Sequence, residues 1–256
     1  MPKPLIVEEL YKSYGNVRAL DGLTFTVDKG SIYGLLGPNG AGKTTTLNII
    51  SGILDRDGGK VQVYGFDPSI DGRKVKSLIG YVPEEQALYE SLTPREFFEF
   101  VASVRGLDKD LAQRRVKLLV EAFDLQKYFD SPIISLSMGT RQKVSIISAL
   151  IHSPRLLVLD EPFVGLDART VAIMKGIIRE HVKNGGTVLF STHIMEVAEK
   201  ICTKVGIIHK GRLVAEGSVE ELTGMVKASD LEEIFLKVTG EEDEVSRIIA
   251  GLEESL

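Results

Sequence analysis

The stretch GPNGAGKT, residues 37–44, decides the fold class of this chain. It follows the apolar run SIYGLLG at 31–37 and precedes a segment of helical character, so it joins a strand to a helix. Its glycines let backbone N–H groups turn inward around a phosphate, and the helix N-terminus adds partial positive charge. Lys43 supplies a full charge, and the Thr44 hydroxyl can ligate Mg²⁺. We therefore predict that a nucleoside triphosphate contacts Gly37, Pro38, Asn39, Gly40, Ala41, Gly42, Lys43, Thr44 and Thr45.

A pair of adjacent acids indicates what happens to that nucleotide. The run RLLVLD at 155–160 is almost continuously apolar, which is typical of a strand buried on both faces of a parallel sheet. It ends in Asp160, where a carboxylate can hold Mg²⁺ through water. Glu161 follows, where a second carboxylate can orient or deprotonate an attacking water. This pair favours hydrolysis of the triphosphate over its transfer to an acceptor substrate, so we predict a nucleoside triphosphatase and disfavour a P-loop kinase.

Other apolar runs place further strands around the phosphate loop. The runs at 23–27, 60–65, 77–83 and 186–193 predict strands, and VGIIHKGRLVAEG predicts a closing hairpin. Asp167 can cap the helix that lies between the runs at 155–160 and 186–193. The class predicted is α/β.

The character of the sequence becomes helical between about 86 and 150. In LTPREFFEFVASV, Thr93 is placed as an N-cap, Pro94 at the first helical position and Glu96 where it closes a capping box. Phe97, Val101 and Val104 fall on one face of this helix, with Phe100 beside them, as an apolar stripe. We predict a helical insert inside the α/β domain.

Composition narrows the possible partners and environment. The 256 residues carry 31 Lys and Arg against 36 Asp and Glu, so the net charge of -5 offers no argument for a nucleic-acid partner. The single Cys202 cannot form an intramolecular disulfide, fits a reducing compartment, and is interpreted as a structural residue. There is neither a signal-peptide core nor an apolar run long enough to span a bilayer, so we expect another chain to cross any membrane involved.

Three further motifs complete an ordered set. They are KSYG with Tyr14, VGLDA with Asp167 and STH with His193. In addition, the stretch LSMGTRQK at 136–143 has the outline of the signature LSGGQ. The order and spacing of all six motifs resemble the nucleotide-binding subunit of an ABC transporter. The resemblance implies an ABC ATPase fold with a mostly parallel core sheet, an antiparallel β subdomain and the helical insert in residues 1–218. A short C-terminal helical extension would occupy 219–256.

The resemblance also implies roles for single residues. Tyr14 would stack on adenine, His193 would contact the γ-phosphate beside the catalytic Glu161, and Asp167 would lie in the dimer-contacting loop. Ser137 and Gly139 would contact the ATP held by a second subunit. ATP and Mg²⁺ are the expected cofactors.

Two positions depart from the family pattern. Glu84 stands where a glutamine that touches Mg²⁺ is usual, and we assign the metal role to Glu84 together with Thr44 and Asp160. An altered loop could present Gln86 instead. In the signature, Met138 replaces a glycine and Thr140 a glutamine, but neither change removes the Ser137 hydroxyl or the helix N-terminus, which are the groups that an anion requires.

The resemblance implies an ATPase subunit that forms a head-to-tail homodimer and drives transport through a separate membrane permease. The tail EGSVEELTGMVKASDLEEIFLKVTG resembles the ending of subunits paired with exporters. The expected location is cytoplasmic, on the inner face of the cell membrane through the permease. The alternative is a soluble ABC ATPase that acts in cofactor assembly or on a nucleic-acid machine.

Overall fold

The computed structural model describes residues 2–226 and 228–240. The larger of its two sheets has six strands in the order β5-β6-β7-β3-β8-β9. Strands β3 to β8 of this sheet are parallel to one another, and β9 runs antiparallel to β8. Their bounds are β3 Ile32–Leu36, β5 Ile79–Val82, β6 Leu156–Asp160, β7 Thr187–Thr192, β8 Lys204–His209 and β9 Arg212–Gly217.

The second sheet is antiparallel and has the order β2-β1-β4. Its strands are β1 Leu5–Tyr14, β2 Val17–Val27 and β4 Gly58–Val63. The sequence did not predict β1, because its pairing with β2 is irregular. The register shifts between Val7 and Leu10, where Glu9 has a φ of 47°, and again between Leu10 and Tyr11. Each shift breaks the alternation of apolar and polar residues by which a strand is recognised.

Helices cover both faces of the parallel sheet. They include α1 Lys43–Ile50, α2 Gly72–Leu78, α6 Ala168–Lys183 and α7 Met195–Ile201. A strand was predicted over residues 77–83. Ser77 and Leu78 belong to helix α2 instead, so strand β5 covers only Ile79–Val82. Asp167 caps α6 as predicted, with its side chain accepting from the Thr170 N–H.

The sheet separates two hydrophobic cores. Successive side chains of β7 alternate between them: Leu189 packs in the core shared with α1 and the antiparallel sheet, and Phe190 in the core shared with the insert. Both side chains are fully buried. Cys202, at the end of α7, lies against Gly34 of β3, and burial raises the pKa of its thiol. This placement agrees with a structural role.

The insert consists of α3 Pro94–Val104, α4 Lys109–Ala122, two short 3₁₀ turns at Gln126–Tyr128 and Ile133–Ser135, and α5 Met138–Leu150. The capping box of Thr93 and Glu96 is present. The predicted apolar stripe is wrong in part, since Phe100 is 45% and Val104 70% exposed. Phe98 and Ala102 are buried with Phe97 instead, because the insert packs a different stripe of α3 on α4 and α5.

Two further helices follow the hairpin, α8 Val219–Val226 and α9 Leu231–Thr239. Leu231 and Ile234 are buried, and the Leu231 N–H donates to the Glu199 carboxylate of α7 at 2.6 Å. The remainder of the predicted extension, residues 241–256, lies outside the described residues. Among the residues that the structure describes, no helix is both long and apolar enough to cross a membrane.

Candidate active site

The phosphate loop joins β3 to α1 and is held tightly by its neighbours. Gly42 has a φ of 109°, and a Cβ at this position would lie 2.7 Å from the Ala19 carbonyl oxygen. A Cβ on Gly37 would lie 2.3 Å from the Ile208 carbonyl oxygen. The Gly211 N–H donates to the Ala41 carbonyl at 3.0 Å. Only glycine fits at positions 37 and 42, because backbone occupies the space of any side chain.

Lys43 is buried at the start of α1. Its Nζ donates to the carbonyl oxygens of Gly37 at 2.8 Å and Pro38 at 3.2 Å, and lies 3.6 Å from Oε1 of Glu161. The ammonium group therefore lies within the loop whose N–H groups would surround a phosphate. It can interact with a phosphate oxygen without leaving this position.

Glu161 follows the last residue of β6 and has a left-handed backbone with φ of 45°. Its N–H donates to the carbonyl oxygen and the hydroxyl of Ser191, each at 3.2 Å. These bonds hold the strained residue in place. Its Oε1 lies 2.9 Å from Nδ1 of His193, whereas its Oε2 is buried and without a partner.

Asp160 is completely buried and the Ser191 hydroxyl donates to its Oδ1. Burial raises the pKa of this carboxyl, hydrogen bonds from Ser191 and Thr44 lower it, and the charges of Glu84 and Glu161 raise it further. Its Oδ2 has no hydrogen-bond partner in the described part of the chain. A buried carboxylate oxygen without a partner fits a cation-binding role, because hard cations such as Mg²⁺ prefer oxygen ligands.

The structure distinguishes Glu84 from Gln86 in the loop after β5. The Thr44 hydroxyl donates to Oε2 of Glu84 at 3.4 Å, so Glu84 lies beside the residue predicted to ligate Mg²⁺. Gln86 points elsewhere: its Nε2 donates at 2.7 Å to the buried Gln142 of α5. The residues present therefore fit Mg²⁺ through Thr44, Glu84 and Asp160. Among the described residues, no group of three or more His, Cys, Asp or Glu converges on one point, so water or phosphate oxygens must complete the coordination.

The signature stretch forms the start of α5. Ser137 is its N-cap, and the Ser137 hydroxyl accepts from the Thr140 N–H at 3.3 Å and lies 2.8 Å from the Thr140 hydroxyl. Met138 is 59% exposed, whereas a Cβ on Gly139 would lie 2.6 Å from the Gly165 carbonyl oxygen. Met138 therefore occupies a position open to solvent. Packing against Gly165 requires glycine at position 139, and this glycine is retained.

Asp167 lies near this helix start. Its carboxylate accepts from the N–H and hydroxyl of Thr170, both at 2.8 Å, and lies 3.5 Å from Nζ of Lys143 in α5. Hydrogen bonds from Thr170, with a smaller effect of Lys143, lower the pKa of Asp167 to about 2. The two segments are thus joined by the Lys143–Asp167 ion pair and by the close approach of Gly139 to Gly165.

Tyr14 ends β1, is 50% exposed, and has the Lys12 ammonium 5.8 Å from its ring centroid. The predicted site residues thus form two contact groups and one separate aromatic residue. Lys43 and His193 both contact Glu161, Thr44 contacts Glu84, and Ser191 binds both the Asp160 carboxylate and the Glu161 N–H. Ser137, Gly139 and Asp167 are linked through Thr140, Gly165 and Lys143. Sequence reasoning missed the role of Ser191, although Ser191 opens the quoted STH motif.

A P-loop that follows a parallel strand, with a buried Asp-Glu pair and a histidine bonded to the second acid, defines a P-loop ATPase. The family model described as ABC transporter matches residues 20–164. The chain therefore belongs to the ABC transporter family, and within it to the ATP-binding subunits. The ABC ATPase fold and the ATPase activity predicted from the motifs are confirmed.

Individual relatives agree with this assignment. The linearmycin resistance ATP-binding protein LnrL of Bacillus subtilis (strain 168) is 36% identical over 236 residues, which cover 92% of this chain and 75% of that protein. The Nod factor export ATP-binding protein I of Ralstonia nicotianae is 35% identical over 231 residues, covering 90% and 72%. A solved structure of the ATP-binding subunit of an ABC transporter matches with a TM-score of 0.87 at 32% identity, covering 92% of this chain and 99% of that one.

Proposed function

We propose that this chain uses ATP hydrolysis, with Mg²⁺, to drive export through a separate integral membrane permease, as one of two ATPase subunits that enclose two ATP molecules head to tail. The observation that carries the hydrolytic part is the Glu161 carboxylate. One of its oxygens, Oε1, is bound to His193 and lies 3.6 Å from Nζ of Lys43, and the other, Oε2, is buried without a hydrogen-bond partner among the described residues. The partnerless oxygen is available to accept a proton from an attacking water or to orient it.

The remaining residues of this group position the triphosphate and balance its charge. Lys43 and the N–H groups of the loop would hold the phosphates, and His193 would contact the γ-phosphate from the exposed side of Glu161. Bound Mg²⁺, held by Thr44, Glu84 and Asp160, would neutralise charge that develops on the phosphate oxygens. Phosphoryl transfer to water needs mainly such positioning and charge stabilisation.

The dimer is supported by the second contact group. Ser137 is exposed at the N-terminus of the 13-residue helix α5, where the hydroxyl and the free N–H groups suit an anion. Its hydroxyl contacts Thr140, and none of the described hydrogen bonds of Ser137 reaches the P-loop of its own chain. An anion-binding helix end in a chain that already has a P-loop is accounted for if it meets the nucleotide of a second copy. Tyr14 would stack on the adenine of its own chain.

The permease is supported by an exposed apolar surface on the insert. Tyr89 is 58%, Phe100 45% and Val104 70% exposed, and the rings of Tyr89 and Phe100 pack edge to face with centroids 5.4 Å apart. Clustered aromatic residues on a surface favour a protein interface. Tyr89 lies five residues after Glu84, so this surface is connected by a short loop to the nucleotide site.

Export is supported by the relatives: the linearmycin resistance and Nod factor export proteins match over 92% and 90% of this chain. The substrate is chosen by the permease. The expected cellular location follows from such a partner, on the cytoplasmic face of the membrane.

Two measurements test the proposal. In gel filtration with saturating ATP and Mg²⁺, the Glu161→Gln variant should elute as a dimer and the wild type as a monomer, because blocked hydrolysis holds the closed state. A persistent monomer would contradict the head-to-tail dimer. Tyr89→Ala and Phe100→Ala should prevent recruitment to membranes that contain the partner permease, with ATP binding unchanged. A wild-type chain that stays in the soluble fraction beside that permease would favour the alternative of a soluble ABC ATPase.

A further inference from the structure

The Thr44 hydroxyl lies between two carboxylates. Its Oγ1 is 3.4 Å from Oε2 of Glu84, and it lies close enough to the Asp160 carboxyl to lower the pKa of that group. Thr44, in the first turn of α1, and Glu84, in the loop after β5, are exposed, whereas Asp160 is fully buried. Three side chains with oxygen donors of the kind that hard cations bind therefore lie close to one another.

Two buried carboxylate oxygens of the site have no hydrogen-bond partner among the residues that the structure describes. Oδ2 of Asp160 and Oε2 of Glu161 are both inaccessible and without a hydrogen bond, on side chains that are 0% and 4% exposed. Leaving a buried carboxylate oxygen unpaired costs free energy. Such an oxygen indicates a ligand that the described residues do not supply.

The charge balance indicates the sign of that ligand. The negative charges of Glu84 and Glu161 both act on the Asp160 carboxyl, whereas the ammonium of Lys43 lies 3.6 Å from Glu161 and donates to the carbonyl oxygens of Gly37 and Pro38. A triphosphate would add further negative charge to this site. With glutamine at position 84 one of the three negative charges would be absent.

We propose that the nucleotide-free chain binds a divalent cation through Glu84, Asp160 and Thr44, and that ATP binds strongly only when this cation is in place. The inference rests on the proposed metal role of these residues and adds an order of binding. Mg²⁺ in proteins is commonly held by one or two carboxylates and keeps several waters. Two carboxylates and a hydroxyl are therefore sufficient for a weak site.

The direct test uses Mn²⁺ alone as the probe, because it takes the same oxygen ligands and the paramagnetic resonance signal of free Mn²⁺ can be followed. The nucleotide-free wild type, Glu84→Gln and Glu85→Gln are titrated in parallel. Glu85 is the matched control, since it is the adjacent residue, is also exposed and undergoes the same change of charge. Wild type and Glu85→Gln should each bind one Mn²⁺ per chain, and Glu84→Gln should bind about tenfold more weakly or worse.

A second measurement compares equilibrium ATP binding in EDTA and in Mg²⁺. Glu84→Gln should gain affinity for metal-free ATP, and Glu85→Gln should not. The inference is overturned if wild type has no stoichiometric Mn²⁺ site, if Glu84→Gln matches wild type in the Mn²⁺ titration, or if it gains no affinity for metal-free ATP. Binding of Mg²⁺-ATP by the wild type distinguishes a failure of this inference from a failure of the proposed function. If the wild type does not bind Mg²⁺-ATP, ATP-driven function itself is contradicted. If it does bind, only this inference is contradicted.

Discussion

Nδ1 of His193 lies 2.9 Å from Oε1 of Glu161, and the two residues come from the ends of the adjacent parallel strands β7 and β6. The imidazole is half exposed and the carboxylate is buried, so the histidine covers the acid on its open side. Substituting His193 by alanine should therefore lower the turnover rate by about 10²-fold, the usual effect of removing one transition-state contact. ATP binding should be almost unchanged.

The measurement is steady-state phosphate release together with equilibrium ATP binding. His209 supplies the control: it is the last residue of β8, in the same sheet, and the proposed mechanism gives it no role. If His193→Ala and His209→Ala lower turnover equally, the effect is structural and the proposed role of His193 is contradicted.

Ser137→Arg should abolish hydrolysis and leave ATP binding intact. The arginine would remove the hydroxyl at the start of α5 and fill the space that the phosphate of a second subunit needs, whereas the P-loop of the same chain is untouched. Ser135→Arg is the control, because this serine is also exposed and lies two residues earlier, in the 3₁₀ turn. If Ser137→Arg still hydrolyses ATP, the proposed role of the signature stretch in the catalytic cycle is contradicted.

Gly139→Ala should destabilise the protein by about 1–3 kcal/mol, because the added methyl group would lie 2.6 Å from the Gly165 carbonyl oxygen, where the neighbouring backbone must move. Gly176→Ala, in the middle of α6 and with open space around the new Cβ, should stabilise it by about 0.5–1 kcal/mol. Urea unfolding followed by circular dichroism measures both. Equal effects of the two substitutions would argue against the contact between Gly139 and Gly165.

Tyr14→Ala should weaken ATP binding by about tenfold, since stacking of one base on an aromatic ring contributes about 1–3 kcal/mol. The effect should be the same for ATP and ADP, because the base and not the γ-phosphate is contacted. Tyr89→Ala is a suitable control, as Tyr89 is exposed to a similar degree but belongs to the insert surface. Fluorescence titration with a labelled nucleotide measures both variants, and unchanged affinity in Tyr14→Ala would place the adenine elsewhere.

Parts of the fold that depend on neighbours in the chain were predictable. The strand, phosphate loop and helix around Lys43, and the capping box of Thr93 and Glu96, follow from the conformations those residues adopt locally. The stripe of α3 was not predictable in the same way. Phe98 is buried and Phe100 exposed because the packing of α3 on α4 and α5 selects the buried face, and the sequence of α3 contains apolar residues on both.

The sequence by itself determined the class of protein, the P-loop residues and the Asp160–Glu161 pair, because each depends on residue types at short spacing. Only the tertiary structure showed which contacts Glu84 and Gln86 make. Gln86 is bonded to Gln142 of α5, 56 residues later, and Glu84 to Thr44, 40 residues earlier. The tertiary structure also places Gly139 against Gly165 and His193 beside Glu161. Such contacts are set by the order of strands in the sheet and by helix packing, which short-range spacing in the chain does not encode.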